Sequence, residues 1–176
     1  MKVKDMTLTA VTTALICIAG PVVIPAGPIP LSLATFAIYL AGAVSGRKRG
    51  TLAAALYLLI GIIGVPVFSG FSGGFQKLAG VTGGYLIGYL PCAFLSGFGA
   101  ELAAKKGRIR ILPVMMTAGT AVLYTLGTAW FMFQSGNTLG TALSLCVVPF
   151  LPGDAVKIAA ATAISVPVRR AVCKIS

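Results

Sequence analysis

The chain has 176 residues, of which 57% are hydrophobic and only 10% are charged, and its mean hydropathy is +0.98. This balance excludes an ordinary water-soluble globular domain and predicts an integral membrane protein. The net charge of +11 does not indicate a nucleic-acid-binding protein, because long apolar runs separate the basic clusters and leave no soluble surface to carry them.

The residue types that most enzymes and metal sites need are scarce in this sequence. There is no histidine, and the four cysteines lie too far apart in the chain for metal-ligand spacing. The sequence also lacks a phosphate-binding GxxxxGK(S/T) motif, a GxSxG turn and a carboxylate pair. We therefore expect neither an enzyme nor a resident metal ion or cofactor.

Six apolar segments follow one another along the chain, and each is compatible with a transmembrane helix. The first continues to about Ile24 without a convincing cleavage site, so we interpret it as a membrane segment rather than a secretory signal peptide. Long unbroken apolar runs favour helices over the strands of a barrel. We predict an all-α membrane fold in a single domain, 1–176, with helices at about 6–24, 31–45, 50–67, 82–104, 111–133 and 152–170.

Two stretches depart from this simple pattern. Pro25, Pro28 and Pro30 stand before the second segment, so part of that connection is expected to run extended or re-entrant. A further apolar piece at about 139–150 precedes the last segment and is not counted as a crossing.

The basic residues predict the orientation of the segments, because cytoplasmic connections accumulate Lys and Arg. Twelve of the fourteen lie at the N-terminus, in the connections 47–49 and 105–110, or after the last segment. The intervening connections are almost uncharged, with Lys77 alone in SGFSGGFQKLAG. We therefore expect six crossings with both termini in the cytoplasm.

Small residues one helical turn apart mark one face of the first segment. Ala10 and Ala14, in TAVTTALICIAG, have the small-xxx-small spacing that lets helices approach closely in lipid. This spacing fits packing within the bundle, and it also fits a docking face for another membrane protein.

The stretch PFLPGDAVKIAAATAI, at the start of the last segment, contains one of only three acidic residues in the chain. Asp154 and Lys157 are three residues apart, so they share one face of the first turns of a helix, near its positive dipole end. Ionisable groups in membrane proteins are energetically expensive and tend to mark a functional path or pocket. The alternative is a local ion pair or cap that only anchors the segment.

The stretch LAGVTGGYLIGYL runs from an outer connection into the fourth segment. Gly83 and Gly84 allow the backbone to approach a ligand or turn sharply, and Tyr85 offers a ring face and a hydroxyl. The alternative is a helix entrance with a tyrosine in the interfacial aromatic belt. The predicted topology places this stretch, PIPLSLATF and the pair Asp154 and Lys157 on the outer side, where they could form one outward-facing pocket.

These residues resemble the BioY family, the substrate-capture (S) subunits for biotin in energy-coupling-factor (ECF) transporters. The resemblance covers nearly the whole chain, through GPIPLSLATFAIYLAGAVSG, LYLLIGIIGVPVFSG, GVTGGYLIGY and VVPFLPGDAVK in that order. It implies a six-helix S-component fold, an outward pocket, high-affinity capture of biotin for uptake, and location in a prokaryotic plasma membrane. It also implies partnership with a transmembrane coupling subunit and two cytoplasmic ATPases, which would explain the missing nucleotide motif.

The resemblance also implies roles for the polar candidates. Asp154 would accept hydrogen bonds from the ureido N–H groups of biotin, while Lys157 would donate to either the ureido carbonyl or the carboxylate. Gln76 and Lys77, in the loop above, are candidates for a lid. Backbone N–H groups and an aromatic face would come from the turn formed by Thr82, Gly83, Gly84 and Tyr85.

Three further points follow from the family pattern. Ala10 and Ala14 match the small-residue motif by which S components contact the coupling subunit, which favours the docking interpretation. The chain departs from the family at Ala34, where Gln is usual, and at Val81, where Pro is usual. The first departure is expected to remove a polar contact from the pocket or its rim, and the second to alter only a loop.

Three alternative functions stay open at this level. The chain could be an S component for another vitamin, such as thiamine or riboflavin. It could instead be a membrane assembly or regulatory subunit that binds no solute, in which Asp154 and Lys157 form a structural pair. An ion-coupled carrier has less support, because there is one deep carboxylate and no clear inverted repeat.

Overall fold

The computed structural model describes residues 3–24 and 31–175, which form seven helices and one short antiparallel strand pair. Lys2 and the three prolines of the first connection lie outside the described residues. The strands are β1 (Val23–Ile24) and β2 (Leu31–Ser32). The helices are α1 (Val3–Ala19), α2 (Ala34–Ile63), α3 (Phe75–Ala79), α4 (Gly83–Lys106), α5 (Ile111–Ser135), α6 (Leu139–Cys146) and α7 (Leu151–Ile175).

Helix α2 is interrupted at Gly46 and folds back on itself. Gly46 has φ 81° and ψ 171°, a conformation that is outside the helical region and that favours glycine. A Cβ added to Gly50 would lie 2.6 Å from the Cα of Gly42, whereas a continuous helix would separate these residues by about 12 Å along its axis. The second and third predicted segments therefore correspond to two arms, 34–45 and 47–63, joined by a one-residue break.

Several predicted boundaries were wrong. The first helix ends at Ala19 rather than near residue 24, because Val23 and Ile24 pair with Ser32 and Leu31 in the strand ladder. The third predicted segment ends at Ile63 rather than 67, because Gly64 adopts the left-handed conformation (φ 116°) that terminates a helix.

The two arms of α2 form the centre of the packing. Helices α1, α4 and α7 all contact α2, and α5 packs against α4 on the outside. Among the described residues, three helices are long and apolar enough to cross a membrane: α4, α5 and the Leu151–Val172 part of α7. The chain is thus an all-helical protein with a multi-pass composition, and the count of six crossings stays a prediction.

Two ion pairs hold the break in α2 against its neighbours. Arg49 Nη1 lies 2.8 Å from Asp5 Oδ1 of α1. Arg47 Nε lies 3.3 Å from Glu101 Oε2 of α4, and the Arg47 backbone N–H donates to Glu101 Oε1 at 2.9 Å. The basic connection that suggested orientation therefore also ties α1, α2 and α4 together at one end of the bundle.

Candidate ligand-binding site

A cavity of about 460 Å³ lies at the end of the bundle where α4 and α7 begin. This volume is within the range of roughly 300–1,000 Å³ that is typical of small-molecule sites. Its wall combines hydroxyls, aromatic rings and one buried ion pair. The lining residues are Ser32, Thr35, Phe68, Ser69, Ser72, Gly73, Gln76, Lys77, Gly80, Val81, Thr82, Tyr85, Leu86, Tyr89, Leu123, Tyr124, Cys146, Phe150, Asp154 and Lys157.

Lys157 is buried at the base of this cavity and is fully hydrogen-bonded. Its Nζ donates to the Ser32 carbonyl at 2.7 Å, to Thr35 Oγ1 at 2.9 Å and to Asp154 Oδ1 at 3.1 Å. An ammonium group has three N–H donors, so these three acceptors use all of them. Lys157 therefore ties α7 to the start of α2 and holds the carboxylate of Asp154.

Asp154 keeps unused hydrogen-bonding capacity. Its Oδ1 accepts from Lys157 at 3.1 Å, and its Oδ2 accepts from the Tyr124 hydroxyl at 2.5 Å. An ionised carboxylate has about four lone-pair sites, so about two remain for a ligand. Asp154 is only 4% exposed, and a buried charge persists only when it is paired and hydrogen-bonded. Asp154 is therefore an oriented acceptor at the cavity wall.

The sequence analysis missed Tyr124, and it did not single out Ser32 or Thr35 although their stretch PIPLSLATF was predicted to reach the pocket. Tyr124 lies in the middle of α5, and its partner Asp154 is 30 residues away in the chain. Ser32 and Thr35 are 125 and 122 residues from Lys157. Each is an ordinary hydroxyl in an apolar segment, so no local pattern identified it as a direct hydrogen-bond partner of the ion pair.

Aromatic residues form much of the remaining wall. Tyr85 donates its hydroxyl to the Cys146 carbonyl at 3.2 Å, which attaches α6 to α4. Tyr89, Phe68 and Phe150 are buried and line the cavity with Tyr85. The site thus combines apolar ring surfaces with one oriented anionic acceptor, a combination suited to a small molecule that has N–H donors and an apolar skeleton.

The predicted glycine turn is divided by the structure. Thr82 and Tyr85 line the cavity, whereas Gly83 and Gly84 are not among its lining residues. A Cβ on Gly84 would overlap Trp130 of α5 and lie 2.6 Å from the Leu126 carbonyl, and one on Gly83 would overlap the Leu78 carbonyl. The two glycines therefore allow close packing of α4 against its neighbours, and their predicted role beside the ligand stays a prediction.

The short helix α3 lies at the rim of the cavity. Gln76 and Lys77 line the cavity and are exposed, as expected for residues at its mouth. The end of α3 is fastened to α5, because Gln134 Nε2 donates to the Ala79 carbonyl at 2.5 Å and Trp130 Nε1 donates to the Gly80 carbonyl at 2.9 Å. The position of α3 at the cavity mouth is compatible with the prediction that Gln76 and Lys77 belong to a lid, which stays a prediction.

The structure shows where the two expected departures from the family pattern lie. Ala34 is fully buried and is not a lining residue; its backbone N–H donates to Ser32 Oγ at 2.9 Å. Val81 does line the cavity and is 39% exposed. Val81 is therefore part of the cavity wall and not only of a loop.

Ala10 and Ala14 are exposed on α1, away from the bundle. The buried face of this helix is formed by Thr9, Thr12 and Thr13 together with Ile16. The interpretation that this alanine face packs within the bundle is therefore wrong. Docking of another membrane protein on it stays a hypothesis.

Comparison with known families identifies the chain. The family model described as the BioY family matches residues 1–174. The chain belongs to the BioY family. It is 36% identical to the biotin transporter BioY of Thermotoga maritima over 167 residues, which are 95% of this chain and 96% of that protein. It is 38% identical to the probable biotin transporter BioY of Pyrococcus horikoshii over 165 residues, which are 94% and 96% of the two chains.

A solved structure has the same fold as this BioY family member. It is the crystal structure of the S-component for biotin from an ECF-type ABC transporter, and it matches with a TM-score of 0.80 at 34% sequence identity. The match covers 96% of this chain and 90% of that one. The all-helical arrangement described above is therefore an S-component fold.

Proposed function

We propose that this protein is a membrane subunit that captures biotin with high affinity for an ATP-driven ECF transporter. Its family membership and its likeness to a biotin S-component over nearly the full length of both chains support this function. The observation that carries it is the buried carboxylate of Asp154, which Lys157 and Tyr124 orient at the wall of a cavity of about 460 Å³. Such a subunit is a binding protein and not an enzyme.

In the proposed complex, the N–H groups and the apolar skeleton of biotin have partners in this cavity. The ureido N–H groups donate to Asp154, which is the acceptor with free lone pairs. Tyr89, Phe68 and Phe150 pack against the rings and the aliphatic tail. Selectivity arises because a ligand without the N–H donors leaves the site with unpaired buried acceptors, at a cost of about 1–3 kcal/mol each.

The hydrogen bonds of Lys157 support different roles for Lys157 and Lys77 in the proposed complex. All three donors of Lys157 are occupied, so contact with the ureido carbonyl requires one of its bonds to Ser32 or Thr35 to be exchanged. Lys77 lies at the exposed rim of the same cavity. We place the ureido group beside Asp154 at the base and the carboxylate of biotin near Lys77.

The proposed membrane arrangement has six crossings, counting the two arms of α2 separately, in a prokaryotic plasma membrane. Both termini face the cytoplasm because the basic turn 47–49 and the basic stretch 105–110 lie at the same end of the bundle as the start of α1. The exposed face with Ala10 and Ala14 then docks the transmembrane coupling subunit, which carries the two cytoplasmic ATPases.

Titration of the purified protein with biotin tests the proposal. We expect Asp154→Asn to weaken biotin binding at least about tenfold, because a hydrogen bond to a charged group contributes roughly 1.5–3 kcal/mol. Glu101→Gln is the matched control, because Glu101 is also paired with a basic residue but lies at the other end of α4. This control should bind biotin like the wild type.

Parallel titrations with thiamine and riboflavin distinguish biotin capture from the alternatives. Tighter binding of either vitamin than of biotin would reassign the substrate. Binding of none of the three by a monodisperse, folded sample would support an assembly subunit. Unchanged biotin affinity in Asp154→Asn would reject the site even if biotin is the ligand.

A further inference from the structure

A second cavity, of about 400 Å³, lies at the opposite ends of the helices that form the first. It lies where α4 ends and α5 begins, beside the last turns of α7. Ala100, Leu112 and Ser165 at its base are buried, whereas Ala104 and Ile109 at its rim are exposed. This gradient of burial describes an open cleft that leads from the protein surface into the bundle.

The chemistry of this cleft is amphipathic. Most of its wall is formed by Ala, Val, Leu and Ile side chains, and its charged residues are Arg169 and Arg170. Arg169 Nη1 donates to the Ala43 carbonyl at 2.9 Å, which orients the guanidinium. Its other N–H donors have no acceptor among the described residues, so they are available to a ligand. Arg170 is exposed, and within residues 3–24 and 31–175 no carboxylate pairs with it or lines the cleft.

We propose that this cleft binds one anionic phospholipid. The phosphate lies on Arg169 and Arg170, because planar guanidinium groups can donate two parallel hydrogen bonds to a phosphate. The first part of an acyl chain lies against Ala103, Ala104 and Val166. Basic pockets between transmembrane helices on the cytoplasmic side suit such headgroups. The cleft faces that side in the proposed orientation, but lipid binding does not depend on biotin capture.

Native mass spectrometry of the purified full-length protein can test the site. The protein is titrated with phosphatidylglycerol, with zwitterionic phosphatidylcholine as the reference lipid. We expect a first phosphatidylglycerol to bind more tightly than phosphatidylcholine. The variant R169Q/R170Q keeps a hydrogen-bond donor for the Ala43 carbonyl but removes both charges, and each lost charge should weaken binding about fivefold.

A charge-matched control separates the cleft from general surface attraction. Lys105 and Lys106 end α4 but do not line the cleft, so K105Q/K106Q removes the same charge without altering it. We expect R169Q/R170Q to lose clearly more affinity than this control. Equal losses in the two variants would overturn the proposal and assign binding to the surface charge.

A second variant tests the acyl part without changing any charge. Ala104→Leu places a larger side chain in the cleft, and it should reduce the affinity for phosphatidylglycerol while leaving a competing glycerol phosphate unaffected. Wild-type lipid affinity in this variant, or displacement of the lipid by glycerol phosphate at equal concentration, would overturn a lipid site. Biotin titration of each variant tests whether the opposite end of the bundle is still folded. If the wild-type protein does not bind biotin, that result refutes the proposed function but not the lipid site.

Discussion

The ion pairs at the two ends of the bundle have similar geometry but different surroundings. Lys157 and Asp154 are separated by 3.1 Å, with side chains 9% and 6% exposed. Arg47 and Glu101 are separated by 3.3 Å, with side chains 42% and 38% exposed. An exposed pair contributes about 0–1 kcal/mol, whereas removing one partner of a buried pair costs about 3–5 kcal/mol. Burial, more than pairing, therefore gives the charges at the cavity end their large effect on stability.

The largest effect is expected when the buried pair loses its cation. A methionine side chain resembles that of lysine in shape but has no charge, so Lys157→Met leaves Asp154 buried without a charged partner. The free energy of unfolding should therefore fall by about 3–5 kcal/mol. Arg47→Met at the other end should cost about 1 kcal/mol or less. Denaturant unfolding in detergent measures both. Equal losses of unfolding free energy in the two variants would show that burial does not make the cavity-end ion pair more important for stability.

A smaller effect is expected from the hydroxyl that orients Asp154. Tyr124→Phe removes the donor to Oδ2, so the free energy of unfolding should fall by about 1.5–3 kcal/mol and biotin should bind more weakly. Tyr57→Phe is a matched control, because the buried Tyr57 hydroxyl has no hydrogen-bond partner among the described residues. The control should be neutral or slightly stabilising. A loss in Tyr57→Phe as large as in Tyr124→Phe would contradict the role of the Asp154 contact.

The smallest effect is expected from one acceptor of Lys157. Thr35→Val removes the hydroxyl at 2.9 Å from Nζ and should lower the free energy of unfolding by about 1 kcal/mol. Thr51→Val, near the exposed pair, removes a hydroxyl whose one hydrogen bond within the described part of the chain is to the Arg47 carbonyl of its own helix. Its effect should stay within about 0.5 kcal/mol. A larger loss of unfolding free energy in Thr51→Val than in Thr35→Val would contradict the greater importance of the buried pair.

Local sequence signals predicted the membrane helices from their apolar runs, and they placed Asp154 and Lys157 on one helical face because the two are three residues apart. The same signals placed two ends wrongly. The strand pair at 23–24 and 31–32 shortened the first segment, and Gly64 ended the third. Sequence reasoning also assigned Gly83 and Gly84 to the ligand, because a glycine pair permits either close ligand approach or close helix packing. Only the tertiary structure shows that Trp130 packs closely against Gly84, and the use beside a ligand stays a prediction.

The amino-acid sequence alone was enough to identify a helical membrane protein of the BioY family, since hydropathy and motif order are properties of the linear chain. It also determined that Asp154 and Lys157 share a helix face, because three residues make nearly one turn. Only the tertiary structure brought Ser32, Thr35 and Tyr124 to that pair. Contacts between residues far apart in the chain follow from helix packing, which local periodicity does not encode.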